Sequence, residues 1–393
     1  MLLGAAAISL NGCGSLGTNG LFGGYEARQL QRPPGGSDKL VNIDQQGPKV
    51  ALLLPLSARG DFAETARAMK QAAELAMFES ANPGITLVTE DTHASAAGAK
   101  RAAEKALDEG AQLIVGPLLS SSLQAAAPLA RRKNVPVVAF SSISSLAARG
   151  VYLMSFLPEQ EVSSVVSYAA SEGIRDIAAL VPKTKYGSTV ERALRSSIAA
   201  QDGRIVALEK FEPTPQGAID SANRIASLIQ SPDNTVQALM IAAGGNLLKT
   251  IDVTLDSAGV KVDTVKSLGT GLWDDPTTMG AGIARGGWYA GVSPDLGDSF
   301  NRKYVATYGM TPPRLASLAY DAVSMAIAIA HEGFTPGFSD AQITNPRGFQ
   351  GANGLFRFLS DGRIERSLAI LEVTPRGPKL VHPASTRFGF TRF

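Results

Sequence analysis

The 393-residue sequence has little of several residue types, and each shortage excludes a class of protein. Its single cysteine excludes an intramolecular disulfide and every multi-cysteine metal motif. Its three histidines, His93, His331 and His382, lie far apart without the ligand spacing of a metal site around them. We therefore expect surface or helix-end imidazoles and no bound metal.

Charge and long apolar runs are also scarce. Charged residues make up 18% of the chain, the net charge is +2, and no block of Lys or Arg occurs, so nucleic-acid binding is not indicated. The longest apolar stretch of the body, LAYDAVSMAIAIA, is too short to span a bilayer and contains Asp321. We predict that it forms a buried helix.

Catalytic motifs are missing as well. The sequence has no Gly-x-Ser-x-Gly elbow and no phosphate-binding loop of the form Gly-x4-Gly-Lys-Ser/Thr. The stretch GAGIARGG near Gly280 has the wrong spacing for a dinucleotide fingerprint. The adjacent pair Asp274-Asp275 is more typical of a solvated corner or a helix cap than of an acid/base pair. The sequence thus predicts a non-enzymatic protein without a cofactor.

From Lys49 onward the sequence alternates strand and helix patterns. The apolar run KVALLLPL is typical of a buried parallel strand, and DFAETARAMKQAAELAMFE follows it with an apolar helical stripe. Two successive sets of such units, the second starting near Val151, predict an α/β fold of two doubly wound parallel-sheet lobes. Near the end, Asp361-Gly362 between two strand-like runs predicts a small C-terminal hairpin.

The only cysteine ends the apolar segment LLGAAAISLNGC. This segment resembles a bacterial lipobox, which implies cleavage before Cys13 and lipidation of its thiol; the alternative is a small buried apolar cysteine. Residues 14–47 are rich in Gly and include Pro-Pro, so we predict a flexible tether there. The segments are then a signal at 1–13, a tether at 14–47 and a folded domain at 48–383.

Small polar residues follow several predicted strands, where open α/β sheets bind ligands near helix N-termini. The stretches that carry them are GPLLSSSLQ, AFSSISSLAARG, PKTKYGS and GTGLWDD. Serines at helix starts are often caps, but their shared place at strand ends favours a ligand site. The candidate ligand-binding residues are Ser120, Ser121, Ser141, Ser142, Ser144, Tyr186, Trp273 and Asp274.

In the stretches GPLLSSSLQ, VPVVAFSS, PKTKYGS and LASLAYDAVSMAIA, the chain resembles type I periplasmic binding proteins of the leucine/isoleucine/valine-binding branch. The resemblance implies two lobes that close on a ligand, joined by three crossovers that we place near Ser155, Gly286 and Pro336. Lobe 1 would then comprise about residues 48–155 and 286–336, and lobe 2 about 156–285 and 337–383.

The resemblance also implies roles within the cleft. A serine loop that holds the ligand carboxylate matches Ser120 and Ser121, with further contacts at Ser142, Ser144 and Tyr186. Two positions depart from the pattern of amino-acid binders. Asn246 replaces an aromatic residue, and Gly271 replaces the glutamate that holds the ligand ammonium. Because a buried ammonium without a carboxylate is costly, these departures argue against a free α-amino acid.

The stretches LPEQEVSS, LVPKTKYGSTVERAL and RLASLAYDAVSMA are similar to a second branch, the LpoA-type lipoproteins that activate penicillin-binding proteins. That resemblance implies a lipid-anchored periplasmic protein, held in the outer membrane, whose partner is a bifunctional penicillin-binding protein. We take it as the first functional hypothesis. The alternative is the substrate-binding protein of an ABC transporter for amino acids or related small molecules, whose partner is the transporter permease.

Overall fold

The computed structural model describes residues 47–261, 263–332 and 337–388. The predicted lipidation site Cys13, the tether up to residue 46 and the crossover predicted near Pro336 therefore lie outside the described residues.

The first sheet has five parallel strands in the order β2-β1-β3-β4-β5, and we call it with its helices lobe 1. Helices α1, α2 and α3 connect its strands. The strands are β1 (Lys49–Leu54), β2 (Thr86–Asp91), β3 (Ala111–Val115), β4 (Val137–Ala139) and β5 (Val151–Leu153); the helices are α1 (Asp61–Glu79), α2 (Ala96–Asp108) and α3 (Ser120–Arg132).

Strand β1 shows why this sheet lies inside the lobe. Successive side chains of a strand point to opposite faces, and both faces of β1 are apolar. Val50, Leu52 and Leu54 pack against α1 and the later helix α10 (Ala316–His331). Ala51 and Leu53 pack against α2 and α3. The continuous apolar run in the sequence thus results from burial on two faces.

The second sheet has seven strands in the order β15-β14-β10-β9-β8-β6-β7, and we call it with its helices lobe 2. Its first five strands in chain order are parallel, and β14 and β15 add an antiparallel edge. The strands are β6 (Asp176–Pro182), β7 (Arg204–Phe211), β8 (Ala238–Ile241), β9 (Lys266–Leu268), β10 (Trp288–Gly291), β14 (Ala369–Thr374) and β15 (Gly377–His382).

Helices cover both faces of the second sheet. Alternate residues of β6 divide between a core with α4 and α5 and a core with α6 and α7. The short helix α8 follows β9. The helices are α4 (Pro158–Ser171), α5 (Lys185–Ala199), α6 (Pro215–Ile229), α7 (Gly245–Ser257) and α8 (Pro276–Met279). Together the two sheets confirm the predicted α/β fold of two lobes.

A small antiparallel sheet near the C-terminus packs against lobe 1. Its strands are β11 (Phe349–Gly351), β12 (Gly354–Phe358) and β13 (Ile364–Arg366), in that order. The β12–β13 hairpin turns at the predicted Asp361-Gly362, where Gly362 has φ of 85°, a backbone conformation that suits glycine. Helices α9 (Pro294–Tyr308), α10 and α11 (Asp340–Ile343) precede this sheet and belong to lobe 1.

The chain passes between the lobes at places that differ in part from the predicted ones. The first passage lies between β5 and α4, the segment that contains Ser155. The return to lobe 1 follows β10 rather than Gly286, because Trp288–Gly291 pairs with β9 and β14. Residues 338–366, which we had assigned to lobe 2, pack in lobe 1 because Ile343, Phe349 and Phe356 lie in its core. The last passage therefore follows β13.

Helix α10 is buried as predicted, and its buried Asp321 forms an ion pair with Arg366 of strand β13. Asp321 and Arg366 are both fully buried, with 3.3 Å between Oδ2 and Nη1. The guanidinium also donates to the carbonyl of Ser155 and stacks on Phe156, and both residues lie in the first passage between the lobes. Burial raises the pKa of Asp321 and lowers that of Arg366. In the described part of the chain, no helix is long and apolar enough to cross a membrane.

Candidate functional site

The loop between β3 and α3 carries the first serine candidates. Ser120 is half-buried and Ser121 is exposed, and they are the first two residues of α3. The N-cap residue is Leu119, and no side chain caps this helix end. The two hydroxyls are therefore not used as helix caps. The unpaired amides of this first turn and the helix dipole favour an anion.

The loop after the neighbouring strand β4 carries the other serines. Ser141 is buried, and its hydroxyl accepts a hydrogen bond from the Ile143 amide at 3.2 Å, whereas Ser142 is exposed. Ser144 donates to Oε1 of Glu159 at 2.6 Å. Because Glu159 lies in the first turn of α4, this bond joins lobe 1 to lobe 2 and shows that the β4 loop faces the second lobe.

Two of the lobe 2 candidates have different environments. The Tyr186 hydroxyl lies 2.7 Å from Oγ1 of Thr270, and burial raises its pKa. Trp273 is fully buried in the core of lobe 2, where its indole N–H donates to the carbonyl of Ala243 at 3.1 Å. Since no part of Trp273 is accessible, the prediction that it contacts a ligand is wrong. Trp273 was predicted as a site residue because an aromatic side chain follows a strand there, but this side chain packs in the core of lobe 2.

Asp274, the third candidate, belongs to a network that also joins the lobes. Arg314, in the loop before α10 of lobe 1, lies 3.9 Å from Oδ2 of Asp274 and 3.4 Å from Oε1 of Glu161. Its guanidinium stacks on Phe156 at 4.1 Å and is about one-third exposed (34%). Tyr289 donates to the other oxygen of Asp274 at 3.3 Å, and burial raises the pKa of this phenol. One cation of lobe 1 thus faces two carboxylates of lobe 2.

Glu161 occupies the space next to Gly271, where the resemblance led us to expect a glutamate. Its Oε2 accepts from the Gly271 amide at 2.9 Å, and the residue is only 5% exposed. A Cβ at position 271 would lie 2.1 Å from Oε1 of Glu161, a distance that real structures do not allow. A larger residue at 271 would therefore displace the carboxylate of Glu161, which already lies there.

Lobe 2 contributes a depression of about 410 Å³ at the carboxyl ends of its strands. Its wall is mostly apolar, with Phe211, Leu247 and Leu272 among the lining residues, and it includes no Lys or Arg. Polar groups in the wall have partners of their own: Thr184 accepts from the Gly187 amide, and Asp275 accepts from Thr277. The depression therefore suits an uncharged apolar group.

A serine–histidine–aspartate cluster on lobe 1 does not have the geometry of a catalytic triad. Ser57 Oγ lies 2.7 Å and Asp91 Oδ2 3.2 Å from the same nitrogen, Nδ1 of His93. A triad needs the two ring nitrogens to hold different partners. Among the described residues, no group of three or more His, Cys, Asp or Glu side chains could hold a metal ion.

Sequence reasoning missed Glu159, Glu161 and Arg314. The two glutamates lie in LPEQEVSS, a stretch that was noted for its resemblance but not for its charge. Arg314 lies 153 residues from Glu161, and only the fold brings the two together. Acidic residues in the first turn of a helix are common for electrostatic reasons, so local spacing gave no signal of a site.

A family model described as periplasmic binding protein matches residues 48–378. No curated protein sequence is significantly similar to the chain. Solved structures with the same fold are numerous.

One such structure is that of a putative branched-chain amino acid ABC transporter from Rhodospirillum rubrum. Its sequence is 19% identical and the TM-score is 0.73, and the alignment covers 85% of this chain and 100% of the other. A second is a solute-binding protein of an R. palustris ABC transporter in complex with benzoate. Its sequence is 18% identical and the TM-score is 0.62, and the alignment covers 88% of this chain and 98% of the other. A third is the branched-chain amino acid transporter substrate-binding protein LivJ from Streptococcus pneumoniae in complex with isoleucine. Its sequence is 17% identical and the TM-score is 0.58, and the alignment covers 86% of this chain and 100% of the other. At these identities the likeness shows the fold.

Proposed function

The chain belongs to the periplasmic binding protein family, and from that premise we propose that it is the solute-binding protein of an ABC transporter. This was the alternative hypothesis of the sequence analysis. Transporter receptors such as those of R. rubrum and S. pneumoniae share its fold along their whole length. The LpoA-type likeness has no such support from the comparisons.

The observation that carries the proposal is the uncapped start of α3. Ser120 and Ser121 present hydroxyls and free amides at a strand end of lobe 1. The loop of the adjacent strand β4 touches lobe 2 through Ser144 and Glu159. An anionic group bound at Ser121 would therefore lie beside the interlobe contact, where closure of the lobes can enclose it.

We infer the class of solute from one surface of each lobe. Lobe 1 offers amides and hydroxyls that suit a carboxylate, and lobe 2 offers an apolar depression without a cation. We therefore propose a small carboxylic acid with an apolar group. Two of the structural relatives are described with isoleucine and benzoate, and both compounds fit this description.

The proposed partner is the permease of the transporter, and the family implies a periplasmic location. We also propose that Cys13 carries a lipid that anchors the chain, with the outer membrane as the first candidate. For a receptor that must reach an inner-membrane permease, anchoring to the inner membrane is the alternative. Mass spectrometry of the membrane-extracted protein would show a diacyl mass on the peptide that contains Cys13.

The activator of a bifunctional penicillin-binding protein is the second candidate. The observation that favours it is the bridge between the lobes, in which Arg314 faces Glu161 and Asp274. A protein whose lobes are joined by their own charges can present a fixed surface to a partner without a solute. This function predicts that no small solute binds the cleft and that an immobilised bifunctional penicillin-binding protein retains the chain.

Thermal unfolding of the full chain in mild detergent tests the two functions. A panel of L-amino acids, branched aliphatic acids, benzoate and hydroxybenzoates is added, and a solute at a thousand times its Kd should stabilise the fold by about 4 kcal/mol. The variant Ser121→Asp should lose at least tenfold in affinity because its carboxylate repels the anion. Ser188→Asp, which adds the same charge on the exposed face of α5, is the control and should bind normally. If no solute raises the melting temperature, the transporter function is wrong.

A further inference from the structure

Two guanidinium groups lie over the same aromatic ring, that of Phe156 in the first passage between the lobes. The ring centroid is 4.1 Å from Cζ of Arg314 and 5.0 Å from Cζ of Arg366. The face of an aromatic ring attracts a cation within about 6 Å of its centroid, and the attraction is stronger where water is excluded. Phe156 is only 8% exposed. The ring thus contacts, away from water, one cation of the bridge between the lobes and one cation of the core of lobe 1.

Arg366 ties two of the passages to lobe 1. It is the last residue of β13, so the last passage begins directly after it. Its guanidinium donates to the carbonyl of Ser155 in the first passage at 3.2 Å, and its backbone amide donates to Oε1 of Gln160 in the first turn of α4 at 3.1 Å. Its counter-ion Asp321 lies on α10 of lobe 1. The position of the first passage therefore depends on this buried ion pair.

Arg314 has its carboxylate partners in the other lobe. Glu161 and Asp274 belong to lobe 2 and lie 3.4 Å and 3.9 Å from its guanidinium, which is a looser fit than a close hydrogen-bonded ion pair. The ring of Phe156 is then a large part of what places this guanidinium. Burial is the main cause of the lowered pKa of Arg366, and the positive charge of Arg314 lowers that pKa further. The two cations therefore interact across the passage.

We propose that Phe156 couples the buried pair of Asp321 and Arg366 to the bridge across the cleft, so that this pair sets how often the lobes are closed in the absence of a solute. The ion pair holds the passage, the passage places the ring, and the ring holds Arg314 where both carboxylates of lobe 2 can share it. Phe156 is a positioning residue in this device. The proposal goes beyond both functions given above, because it concerns the chain by itself.

Replacement of Phe156 by 3,4,5-trifluorophenylalanine tests the coupling, because the fluorinated ring keeps nearly the same shape and loses most of its attraction for cations. Spin labels at the exposed positions Glu64→Cys in lobe 1 and Gln216→Cys in lobe 2 report the distance between the lobes by pulsed electron paramagnetic resonance, in the full chain with Cys13→Ser and without solute. We expect the ratio of chains with separated lobes to chains with closed lobes to rise at least about threefold. The same replacement at Phe358, a buried ring of the same core over which no cation of the described residues lies, should leave this ratio unchanged.

A double-mutant cycle tests whether the buried pair acts through the ring. The joint change Asp321→Leu with Arg366→Met should raise the ratio at least about threefold in the natural chain, and less than about 1.5-fold when the fluorinated ring is already at position 156. Effects that multiply independently would overturn the proposal, and so would an unchanged ratio after the ring replacement alone. If circular dichroism shows that the joint variant misfolds, Arg366→Lys takes its place with the same expected ratios, because it keeps the charge and removes the planar group over the ring. No solute enters these measurements, so their failure leaves the solute-binding function to its own test by thermal unfolding.

Discussion

Asp340 shows how one side chain can join helix α11 to strand β5 and to the residues that precede it. It is the first residue of α11, and it accepts from the Tyr152 hydroxyl and from Arg149, both at 2.6 Å. Tyr152 is almost fully buried in β5, so its hydroxyl has few other routes to a partner. The two donors lower the pKa of Asp340, with Arg149 the larger cause.

We predict that Asp340→Ala lowers the free energy of unfolding by about 1–3 kcal/mol, because it leaves a buried hydroxyl without an acceptor. The folded-state pKa of Asp340 is below its unfolded value, so its contribution is complete above about pH 4 and is lost as the pH falls through the lowered pKa. Denaturation at pH 7 and pH 3 measures both effects. Asp108→Ala, at a widely exposed carboxylate, should change stability by less than about 0.5 kcal/mol. Equal losses in both variants would contradict the prediction.

Single residues also show what the sequence can and cannot predict. Ser120, Ser121 and Ser144 were predicted to follow strands of an α/β sheet, and in the structure they do. Their contact with a ligand stays a prediction, made because strand ends are where such sheets bind ligands. Trp273 was assigned wrongly because burial depends on the whole lobe, and the aromatic side chain is fully enclosed. Glu159 was missed because its partner Ser144 belongs to another lobe, and spacing along the chain does not reveal contacts between lobes.

At the level of elements, the pair Asp321–Arg366 ties helix α10 to the hairpin strand β13 and to the first passage between the lobes. Asn353 adds a hydrogen bond to Asp321 at 2.9 Å, and the Ala352 amide adds another at 2.6 Å. The carboxylate is thus well satisfied. Removing one member of such a buried pair leaves the other charge without compensation.

We predict that Asp321→Ala lowers the unfolding free energy by about 3–5 kcal/mol, because the Arg366 guanidinium loses its counter-ion in the core. The double variant Asp321→Leu with Arg366→Met should cost less than the sum of the single variants Asp321→Leu and Arg366→Met, since it removes both charges. Chemical denaturation of the four proteins gives the coupling. Asp256→Ala, in the exposed pair with Lys261, is the matched control and should cost less than about 1 kcal/mol. Additive costs at Asp321 and Arg366 would show that the pair is not coupled.

The elements themselves were largely predictable. The apolar run of β1, the stripe of α1 and the Asp-Gly turn of the β12–β13 hairpin each follow from a local pattern with a known physical cause. The antiparallel pair β14–β15 was not predicted as an extension of the second sheet. Sheet membership is decided by which edge is open for pairing, and a local pattern carries no information about that edge.

At the scale of the molecule, Arg314 joins lobe 1 to lobe 2. We predict that Arg314→Met weakens this bridge by about 1–2 kcal/mol, because Glu161 and Asp274 lose their shared cation. The lobes should then separate more often, with a larger radius of gyration in small-angle X-ray scattering without solute. Solute affinity should fall about 5–30-fold, because the closed state is less populated.

The control for Arg314→Met lies within one lobe. Arg149→Met breaks an ion pair with Asp340 that does not cross the cleft. It should leave both the radius of gyration and the affinity unchanged. If Arg314→Met also leaves the radius of gyration unchanged, the bridge does not govern the arrangement of the lobes.

The division into lobes was predictable, but the later passages between them were not placed correctly. Lobe 2 extends through β10, and the chain from residue 338 to β13 packs with lobe 1. In both places the sequence continues with apolar residues that either core could bury. The choice between two cores of similar composition depends on topology, which the local pattern does not record.

The late return of the chain to both lobes has a consequence for how the protein is made. Phe356 and Ile364 complete the core of lobe 1, and Leu371 completes that of lobe 2. A polypeptide that leaves the ribosome N-terminus first therefore lacks part of each core until almost all of it has been synthesised. Contacts so distant along the chain slow folding. For most of its synthesis the nascent protein would thus lack a complete core in either lobe, and a secretory translocase would meet a chain that has not finished folding.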